Sequence, residues 1–314
     1  MKILFIIDNI DSIKSYKDTS FAFMLEAQNR KHEIYYCKQE HLSFHENVVF
    51  GNTYHIEVKD QIENFYKVLS QKPTHPLTEF DVILMRKDPP FDLNYIYTTY
   101  LLEHLEKQGV LVVNKPQSLR DCNEKLFTLQ FPQCTPPLIV SSQKTTLKEF
   151  VKLHSDCVLK PLDSMGGKEI YLTHASDVNL STIIEMLTRD ESTPIMAQKF
   201  VPEIKQGDKR VLLINGTPIE YGLSRIPPNG DIRGNLAAGG KGVGSKLTER
   251  DYWICEQIAP TLKEKDLFFV GIDIIGDYLT EINVTSPTCV REIDTAFNIN
   301  ISARFFDFLE SLFL

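Results

Sequence analysis

Residues Phe268–Arg291, FFVGIDIIGDYLTEINVTSPTCVR, decide the fold that this sequence predicts. Two runs of strand-forming residues flank a Gly-Asp pair at 276–277, a pattern that predicts a β-hairpin. Asp273 lies on the first run. Glu281 and Asn283 lie two residues apart on the second run and therefore project from the same face. All three side chains offer oxygen ligands of the kind that Mg²⁺ prefers.

The length of the hairpin loop determines whether Asp273 joins the other two ligands. A two-residue loop would put Asp273 across from Thr280 and on the wrong face. A three-residue loop, Gly276–Tyr278, puts Asp273 across from Glu281 and gathers isoleucines 272, 274 and 282 on the opposite face. We therefore predict the three-residue loop and a metal site. The alternative is an ordinary hairpin with solvated acids.

Length and composition limit the function classes. The 314 residues predict two or three subdomains, and the hydrophobic fraction of 42% is enough for ordinary globular cores. The net charge of −8 argues against nucleic acid or an anionic membrane as the main partner. No apolar run approaches the roughly 20 residues that a membrane span needs. The six cysteines form no CxxC pair, which predicts buried, reduced thiols in a cytoplasmic protein.

The first lobe, residues 1–122, is predicted to be Rossmann-like. A strand at Lys2–Ile7, a helix capped at Asp18 and a strand at Glu33–Cys37 form a βαβ unit, so these strands are expected to be parallel. The further predicted elements are a hairpin at 48–58, a helix at 62–69, strands at 81–85 and 110–113, and a helix over 93–109 with Leu93, Ile96, Tyr97, Tyr100, Leu101, His104 and Leu105 on its apolar face. The lobe has no GxGxxG motif and is not read as a dinucleotide site.

Two α+β lobes are predicted to follow, at 123–203 and 204–314. In the first of these, the loop 160–168 contains the paired glycines Gly166 and Gly167, whose backbone N–H groups can turn toward phosphate oxygens. Lys160, at the end of an apolar strand, would aim its ammonium at the same place. A plain hairpin turn is the alternative interpretation of this loop.

Three further features carry candidate binding groups. The segment 198–201 can bind an adenine through its backbone or be a purely structural strand. Arg86 follows a predicted parallel strand, where ligands gather, although it could also be a solvated strand-end arginine. Lys209 and Arg210 point to opposite faces of a predicted hairpin strand, so at most one of them faces a shared site.

A long glycine-rich loop is predicted at residues 226–246. Its glycines, small residues and Arg233 suit a lid that closes over anionic chemistry. A disordered linker is the alternative. Together with the lysines, the glycine loop and the carboxylates, this lid predicts a binding site for Mg²⁺ and a nucleoside triphosphate. Joining a carboxylate to an amine requires activation to an acyl phosphate, and a lid would keep water from it.

Five stretches carry a family resemblance: VILMRKDPPFD (82–92), VNKPQSLRDCNEKLFT (113–128), GDKRVLLING (207–216), RGNLAAGGKG (233–242) and VGIDIIGDYLTEINVTSPTCVREI (270–293). The chain resembles the ATP-grasp ligases and, within them, the bacterial glutathione synthetase family. The resemblance implies an α/β fold with a Rossmann-like substrate lobe (1–122), a central ATP-grasp lid lobe (123–203) and a C-terminal ATP-grasp lobe (204–314). It also implies a cytoplasmic homotetramer.

The resemblance further implies a reaction and a set of residue roles. Glycine is joined to the cysteinyl carboxylate of γ-glutamylcysteine through an acyl phosphate, and ATP yields ADP and phosphate. ATP would be bound by Lys125, Lys160, Gly166, Gly167, Gln198, Lys199, Phe200, Val201 and Asp208. Two Mg²⁺ ions, with Mn²⁺ as a replacement, would be held by Asp273, Glu281 and Asn283. The dipeptide would be bound by Arg86, Asn283, Ser286 and Arg291, and the transferring phosphoryl group by Arg210, Arg225 and Arg233.

The sequence departs from the family pattern in the glycine loop, where Ser164 replaces the usual glycine. Asn9 stands where the family tends to have proline, and residues 39–60 match weakly. Two alternatives remain. One is another ATP-grasp ligase with a different acceptor pocket. The other is a nucleotide-binding regulatory protein without turnover, which would lack a metal ligand or the lid arginine, and this sequence lacks neither.

Overall fold

The computed structural model describes residues 1–236 and 239–314 and contains three β-sheets. The strands are β1 (Lys2–Ile6), β2 (Glu33–Cys37), β3 (Leu42–His45), β4 (Val48–Val58), β5 (Tyr66–Pro76), β6 (Val82–Met85), β7 (Leu111–Val113), β8 (Leu138–Ser141), β9 (Cys157–Pro161), β10 (Tyr171–Thr173), β11 (Ile195–Lys199), β12 (Asp208–Ile214), β13 (Thr217–Ile226), β14 (Lys241–Lys246), β15 (Phe269–Ile275) and β16 (Tyr278–Asn283). The α-helices are α1 (Thr19–Asn29), α2 (Leu93–Lys107), α3 (Pro116–Asp121), α4 (Lys144–His154), α5 (Leu180–Thr188), α6 (Glu249–Glu264), α7 (Val290–Phe297) and α8 (Ile301–Ser311).

The first sheet has the Rossmann-like core that the sequence predicts. Strands β2, β1, β6 and β7 lie side by side and are parallel, and antiparallel strands β3, β4 and β5 extend the β2 edge. Helix α1 begins after Asp18, whose Oδ1 accepts the backbone N–H of Phe21 at 2.7 Å. This N-cap satisfies one of the free donors of the first helical turn. The predicted α/β class is confirmed.

Residues 48–76 differ from the prediction. Residues 48–58 form the single strand β4 and not a hairpin, and β5 occupies much of the predicted helix at 62–69. Strands β4 and β5 pair with each other from Val58 and Tyr66 onward. A short apolar pattern suggested a helix there, but the backbone hydrogen bonds of the strand pair override a weak local preference.

Helix α2 turns a different face to the core from the predicted one. Its buried residues are Tyr95, Thr98, Thr99, Leu102 and Leu105, whereas Leu93, Tyr97 and Tyr100 are exposed. The two threonines can be buried because their hydroxyls donate to the helix itself. Thr98 donates to the carbonyl of Asn94 at 2.9 Å, and Thr99 donates to that of Ile96 at 2.6 Å.

The second and third sheets are both antiparallel. The second runs β10-β9-β11-β8, and the third runs β14-β13-β12-β15-β16. Two hydrophobic clusters join the first sheet to the third; Leu4 and Ile272 belong to one of them. The second sheet has a separate cluster that includes Leu147, Leu159 and Ala197. We call the part built on the first and third sheets the main body and the part spanning β8–β11 the central lobe. The lobe bounds 1–122, 123–203 and 204–314 stay a prediction.

The predicted long loop 226–246 is shorter in the structure. Residues Lys241–Lys246 form β14, which pairs with β13 along its whole length. Ala237 and Ala238, which the prediction included in this loop, lie outside the described residues. Glycines at 242 and 244 concealed the strand, because glycine is rare in strands.

Two further features concern the state of the cysteines and the apolar character of the helices. All six cysteines are free and buried, as predicted. Within the described ranges, no helix combines the length and the apolar character needed to cross a membrane.

Asp294 on α7 provides a test by pH. Burial raises the pKa of its carboxyl from 3.8 to about 6, while its Oδ1 accepts the backbone N–H of Ile301 at 2.9 Å. The folded state holds this proton more tightly than the unfolded state, so protonation of Asp294 adds to the free energy of unfolding. This contribution is complete below pH 3.8 and is lost as the pH rises through about 6. We expect Asp294→Asn, which keeps an acceptor oxygen, to gain stability relative to the unmodified protein over that window. Urea unfolding at several pH values measures this difference, and a pH-independent difference would contradict it.

Candidate active site

The β15–β16 hairpin brings Asp273 opposite Glu281, but its loop differs in length from the predicted one. The loop has two residues and not three, since Ile275 pairs with Tyr278. Gly276 takes a φ of +57° as the first loop residue, a conformation that suits glycine. The predicted three-residue loop is therefore wrong, and the predicted pairing of Asp273 with Glu281 is present.

A β-bulge at Thr280 restores that pairing. Ile274 pairs with Leu279 and Asp273 pairs with Glu281, so Thr280 is an extra residue in β16. Its hydroxyl donates to the backbone carbonyl of Asp273 at 3.1 Å, and its own carbonyl accepts from Nζ of Lys160 at 3.5 Å. One inserted residue thus moves Glu281 to the face of Asp273 and also ties the hairpin to the central lobe.

Asp273 lies in a buried cluster of ion pairs. Nε and Nη2 of Arg210 contact its two carboxylate oxygens at 2.5 and 3.0 Å, and Nη2 of Arg225 contacts it at 2.9 Å. Arg225 also binds Asp208. Burial alone would raise the pKa of Asp273, but the two arginines outweigh burial and lower it. Lys209 faces the other way and binds Asp251 at 2.6 Å, so the predicted opposite orientation of Lys209 and Arg210 is confirmed.

The pKa of Asp208, in the same cluster, shifts in the opposite direction from that of Asp273. Burial raises the pKa of its carboxyl to about 7, against the effect of Arg225. Its Oδ1 is buried and, among the described residues, has no hydrogen-bond partner. A buried carboxylate oxygen without a donor is costly, so this atom is suited to a ligand or a cation.

A second charged cluster surrounds Glu281. Nζ of Lys125 lies 3.8 Å and Nζ of Lys160 3.9 Å from Oε1 of Glu281. Lys125 also donates to Oε1 of Glu124 at 2.5 Å and to the carbonyl of Ser164 at 2.7 Å. Burial lowers the pKa of Lys160, which Glu281 opposes only in part. For Lys125, the neighbouring carboxylates of Glu281 and Glu124 outweigh burial and raise the pKa.

A first cleft, between the central lobe and the main body, contains every residue that the sequence assigns to ATP. Its lining includes Lys125, Lys160, Gly166, Gly167, Gln198, Lys199, Phe200, Val201 and Asp208, together with Glu281 and Arg233. Nε2 of Gln198 is buried and has no partner within the part of the chain that the structure describes. The cleft therefore holds an unused donor from the strand that was predicted to meet the adenine.

A second cleft opens from the first. The two share Glu124, Met165, Gly166, Asn235 and Glu281, and we call this shared region the junction. Arg210, Arg225, Asn283 and Ser286 line the second cleft, and their roles stay predictions. Ser286 donates to Oδ1 of Asp88 at 2.7 Å, which fixes the hydroxyl at the cleft wall.

Arg86 and Arg291 do not line either cleft. Arg86 is buried, lies between two phenylalanine rings, and donates to Oγ of Ser20 at 3.0 Å and to the carbonyl of Pro287 at 2.9 Å. Arg291 pairs with Asp60 at 2.7 Å. The structure thus places Arg86 behind the loop that carries Ser286, where it supports the cleft wall. Direct contact of these two arginines with a dipeptide stays a prediction.

The segment 231–236 lies over the glycine loop. Arg233 is half-buried and pairs with Asp231 at 2.6 Å. Gly166 and Gly167 take φ values of +66° and +79°, whereas Ser164 is not in the left-handed region. Serine is therefore accommodated at position 164 without strain of the backbone.

Gly167 gives a test of this arrangement. A Cβ at this position would lie 2.8 Å from Oδ1 of Asn235 and 3.4 Å from Cδ of Arg233. We expect Gly167→Ala to push segment 231–236 away and to raise the KM for ATP about tenfold, with a loss of about 1 kcal/mol in stability. Gly230→Ala is a matched control, because Gly230 also has positive φ but has no atom within 4 Å of its Cβ position. Equal effects of the two substitutions on the KM would contradict the prediction.

Sequence reasoning missed several cleft residues. Glu124 lines both clefts, and burial followed by the charge of Glu281 raises the pKa of its carboxyl. The signal for Glu124 was its place beside Lys125. The turn 12–18 and Glu292 also line the second cleft; no motif marks the turn, and Glu292 lies in the stretch 270–293 but was given no role.

The hairpin residues fit magnesium in chemistry. Asp273 and Glu281 face each other, and Nδ2 of Asn283 donates to Asp273 at 3.3 Å, which leaves the amide oxygen of Asn283 as its metal-binding atom. Among the described residues, no three His, Cys, Asp or Glu side chains form a metal-binding group. Asn283 adds an amide oxygen to the two carboxylates, and the role of all three residues as magnesium ligands stays a prediction.

Comparison with known proteins identifies the family. The model of the prokaryotic glutathione synthetase N-terminal domain matches residues 1–120, and that of the prokaryotic glutathione synthetase ATP-grasp domain matches residues 124–298. Glutathione synthetase of Coxiella burnetii is 50% identical over 99% of this chain and 97% of its own length. The Vibrio cholerae glutathione synthetase is 52% identical over 99% of this chain and 97% of its own length.

Solved structures support the fold. The ATP-grasp ligase PsnB, complexed with minimal precursor, Mg and ADP, matches with a TM-score of 0.62 at 17% identity, over 98% of this chain and 97% of that one. D-cycloserine synthetase DcsG matches with a TM-score of 0.67 at 13% identity, over 98% of both chains. The two domain models and the relatives of about half-identical sequence cover nearly the whole chain, which therefore belongs to the prokaryotic glutathione synthetase family of ATP-grasp ligases.

Proposed function

We propose that this protein joins glycine to the cysteinyl carboxylate of γ-glutamylcysteine, with ATP as the co-substrate, and releases glutathione, ADP and phosphate. Family membership across nearly the whole chain supports an ATP-dependent ligase of glutathione synthesis. The observation that carries the site assignment is the junction. One cleft lined by phosphate-binding groups opens there into a second cleft lined by arginines.

The first cleft is the site proposed for ATP. Gln198–Val201 would meet the adenine, and Gly166 and Gly167 would turn backbone N–H groups to the phosphates. Lys125 and Lys160, both buried, would neutralise phosphate charge near Glu281. The γ-phosphoryl group would then lie at the junction, next to the second cleft.

The second cleft is the site proposed for the dipeptide and glycine. The cysteinyl carboxylate would lie at the junction, where Arg210 and Arg225 can stabilise the charge that builds up on the transferring phosphoryl group. Arg233, on the lid, would leave its ion pair with Asp231 and bind the phosphoryl group with its guanidinium. No nucleophile from the protein is needed, because the substrate carboxylate attacks the γ-phosphorus directly.

Charge balance in the two ion-pair clusters around Asp273 and Glu281 supports a requirement for magnesium. Four cations, Lys125, Lys160, Arg210 and Arg225, face four carboxylates, Glu124, Asp208, Asp273 and Glu281. These groups sum to zero (+4 − 4), so they cannot by themselves neutralise a triphosphate. Asp273, Glu281 and Asn283 would hold two ions, with Mn²⁺ as a replacement. Magnesium, when bound, supplies the missing positive charge and holds phosphate oxygens in place.

The second half of the reaction requires exclusion of water. The amine of glycine attacks the acyl phosphate, the new C–N bond forms, and phosphate leaves. Water would compete for the same carbonyl, so the segment 231–236 over the glycine loop is proposed to act as the lid.

The reaction is tested directly with purified protein, ATP, Mg²⁺, γ-glutamylcysteine and glycine. Phosphate release should depend on the dipeptide, and mass spectrometry should find glutathione. Phosphate release without the dipeptide would instead favour a different ligase or an ATPase, and absence of any turnover would favour a regulatory nucleotide-binding protein.

Two further properties belong to the proposal. A homotetramer is supported by exposed apolar side chains on α2 and β3, namely Leu93, Tyr97, Tyr100 and Phe44. Light scattering of the purified protein tests it, and a monomer at micromolar concentration would refute it. A cytoplasmic location is supported by six cysteines that are buried and free.

A further inference from the structure

A segment that begins at Asn123 connects the glycine loop to the main body. The backbone carbonyl of Glu124 accepts the N–H of Ile282 on β16 at 2.8 Å. The carbonyl of Cys134 accepts the N–H of Leu279, on the same strand, at 2.8 Å. Strand β16 lies at one end of the third sheet. The segment is therefore fixed to the main body at both of its ends.

The side chain of Asn123 forms hydrogen bonds with both atoms of its amide. Its Oδ1 accepts the backbone N–H groups of Lys125 and Leu126, both at 3.0 Å, and so fixes the turn that carries Lys125. Its Nδ2 donates to the backbone carbonyl of Leu162, in the glycine loop, at 2.9 Å. We call this last hydrogen bond the latch. An amide suits this position because it offers an acceptor and a donor on the same carbon.

The latch lies apart from the proposed ligand sites. Asn123 lines neither cleft, but it lines a small pocket together with residues 162–165 of the glycine loop and residues 284–285 of the main body. Lys125 also reaches the loop, since its Nζ donates to the carbonyl of Ser164 at 2.7 Å. Lys125 lines the first cleft, however, so a phosphate there would compete for its ammonium. The latch involves no group that a phosphate would take.

The latch acts on the part of the central lobe that is proposed to meet phosphate. The glycine loop joins β9 to β10, and Leu162 lies four residues before Gly166 along it. The hydrophobic cluster of the central lobe is separate from the two clusters of the main body. Polar contacts such as the latch therefore contribute to the position of the loop relative to the main body.

We propose that Asn123 is a positioning residue that holds the glycine loop over the phosphates of ATP through the latch, while its Oδ1 holds the turn of Lys125. One side chain thereby fixes two phosphate-binding elements relative to each other. The assignment rests on the proposed function, which puts the phosphates between Lys125 and the glycine loop. Without the latch, ATP binds more weakly and water reaches the acyl phosphate more easily.

Asn123→Ser separates the latch from the turn. A serine hydroxyl can accept the N–H groups of the turn, but it is too short to reach the carbonyl of Leu162. We expect the KM for ATP to rise roughly 3- to 10-fold, as for the loss of one hydrogen bond, and the KM values for γ-glutamylcysteine and glycine to stay unchanged. Phosphate release should also exceed glutathione formation. Asn123→Asp, which keeps the side-chain length but lacks the donor, should give the same pattern.

Hydrogen–deuterium exchange with mass spectrometry tests the latch without turnover. In the presence of Mg²⁺ and saturating AMP-PNP, the amides of residues 162–168 should exchange at least about threefold faster in Asn123→Ser than in the unmodified protein. Helix α2 should exchange equally in both. Asn179→Ser is the matched control, because Asn179 is exposed on the central lobe and lines neither cleft. The control should change neither the exchange nor the kinetic constants.

Two results would overturn the assignment. One is an Asn123→Ser variant whose KM for ATP and whose exchange in 162–168 equal those of the control. The other is an equal rise of the KM for all three substrates together with faster exchange throughout the chain, which would indicate a general structural role. If the unmodified protein forms no glutathione, the proposed function fails, whereas the exchange experiment with AMP-PNP still decides whether the latch positions the loop.

Discussion

Replacement of Glu281 by glutamine is expected to lower kcat for glutathione formation by at least about 100-fold at ordinary Mg²⁺ concentrations. The substitution keeps the shape of the side chain and removes one charge from the junction, where Glu281 lines both clefts. Glutamine binds Mg²⁺ more weakly than a carboxylate does. The loss should therefore become smaller as Mg²⁺ is raised into the tens of millimolar, in proportion to recovered metal occupancy.

Asp277→Asn is the matched control for Glu281→Gln. Asp277 is exposed in the loop of the same hairpin and lines neither cleft. The control should keep full activity and the same dependence on Mg²⁺. The assignment of Glu281 as a metal ligand would be wrong if its glutamine variant kept normal activity, or if its loss did not respond to Mg²⁺.

Replacement of Asp273 by asparagine is expected to destabilise the main body by about 3–5 kcal/mol, because two buried arginines lose their shared counter-charge. Arg210 has no other carboxylate within 4.0 Å among the described residues, whereas Arg225 keeps Asp208. Urea unfolding of the ligand-free protein measures the loss. The single tryptophan, Trp253, lies on α6 in the main body and reports on this part of the molecule by its fluorescence.

A second substitution tests whether charge is the cause. Arg210→Met removes the guanidinium that depends most on Asp273. The double variant should therefore be more stable than the sum of the two single losses predicts, by about 1 kcal/mol or more. Strict additivity would indicate that Asp273 stabilises the fold through packing alone.

The residues that the family resemblance assigns to ATP lie together in the structure. All nine residues assigned to ATP line the first cleft. The resemblance implies the whole set, whereas the residues by themselves indicated only Lys160, the paired glycines and the segment 198–201. The four parallel strands β1, β2, β6 and β7 were also placed within one or two residues, because buried parallel strands are continuous apolar runs.

Other features could not be predicted because they depend on tertiary contacts. Alternation along β16 cannot reveal the extra residue at Thr280, since a bulge changes pairing without changing composition. The buried face of α2 was misjudged because threonines that bond to their own helix can replace apolar residues in a core. Lys17 and Glu292, which both line the second cleft, were missed because they are 275 residues apart (292 − 17) and no motif contains both.

Because the central lobe has a separate hydrophobic core, we expect it to unfold as a unit distinct from the main body. The central lobe has one hydrophobic cluster and the main body has two others, yet ATP would contact Lys160 and Gln198 on the lobe and Glu281 on the main body. A ligand that bridges two units stabilises each only while both are folded. The nucleotide would thus couple two unfolding equilibria, and calorimetry should show two overlapping transitions merge into one as ATP is added. The number of unfolding transitions seen by calorimetry would then report whether ATP occupies the cleft.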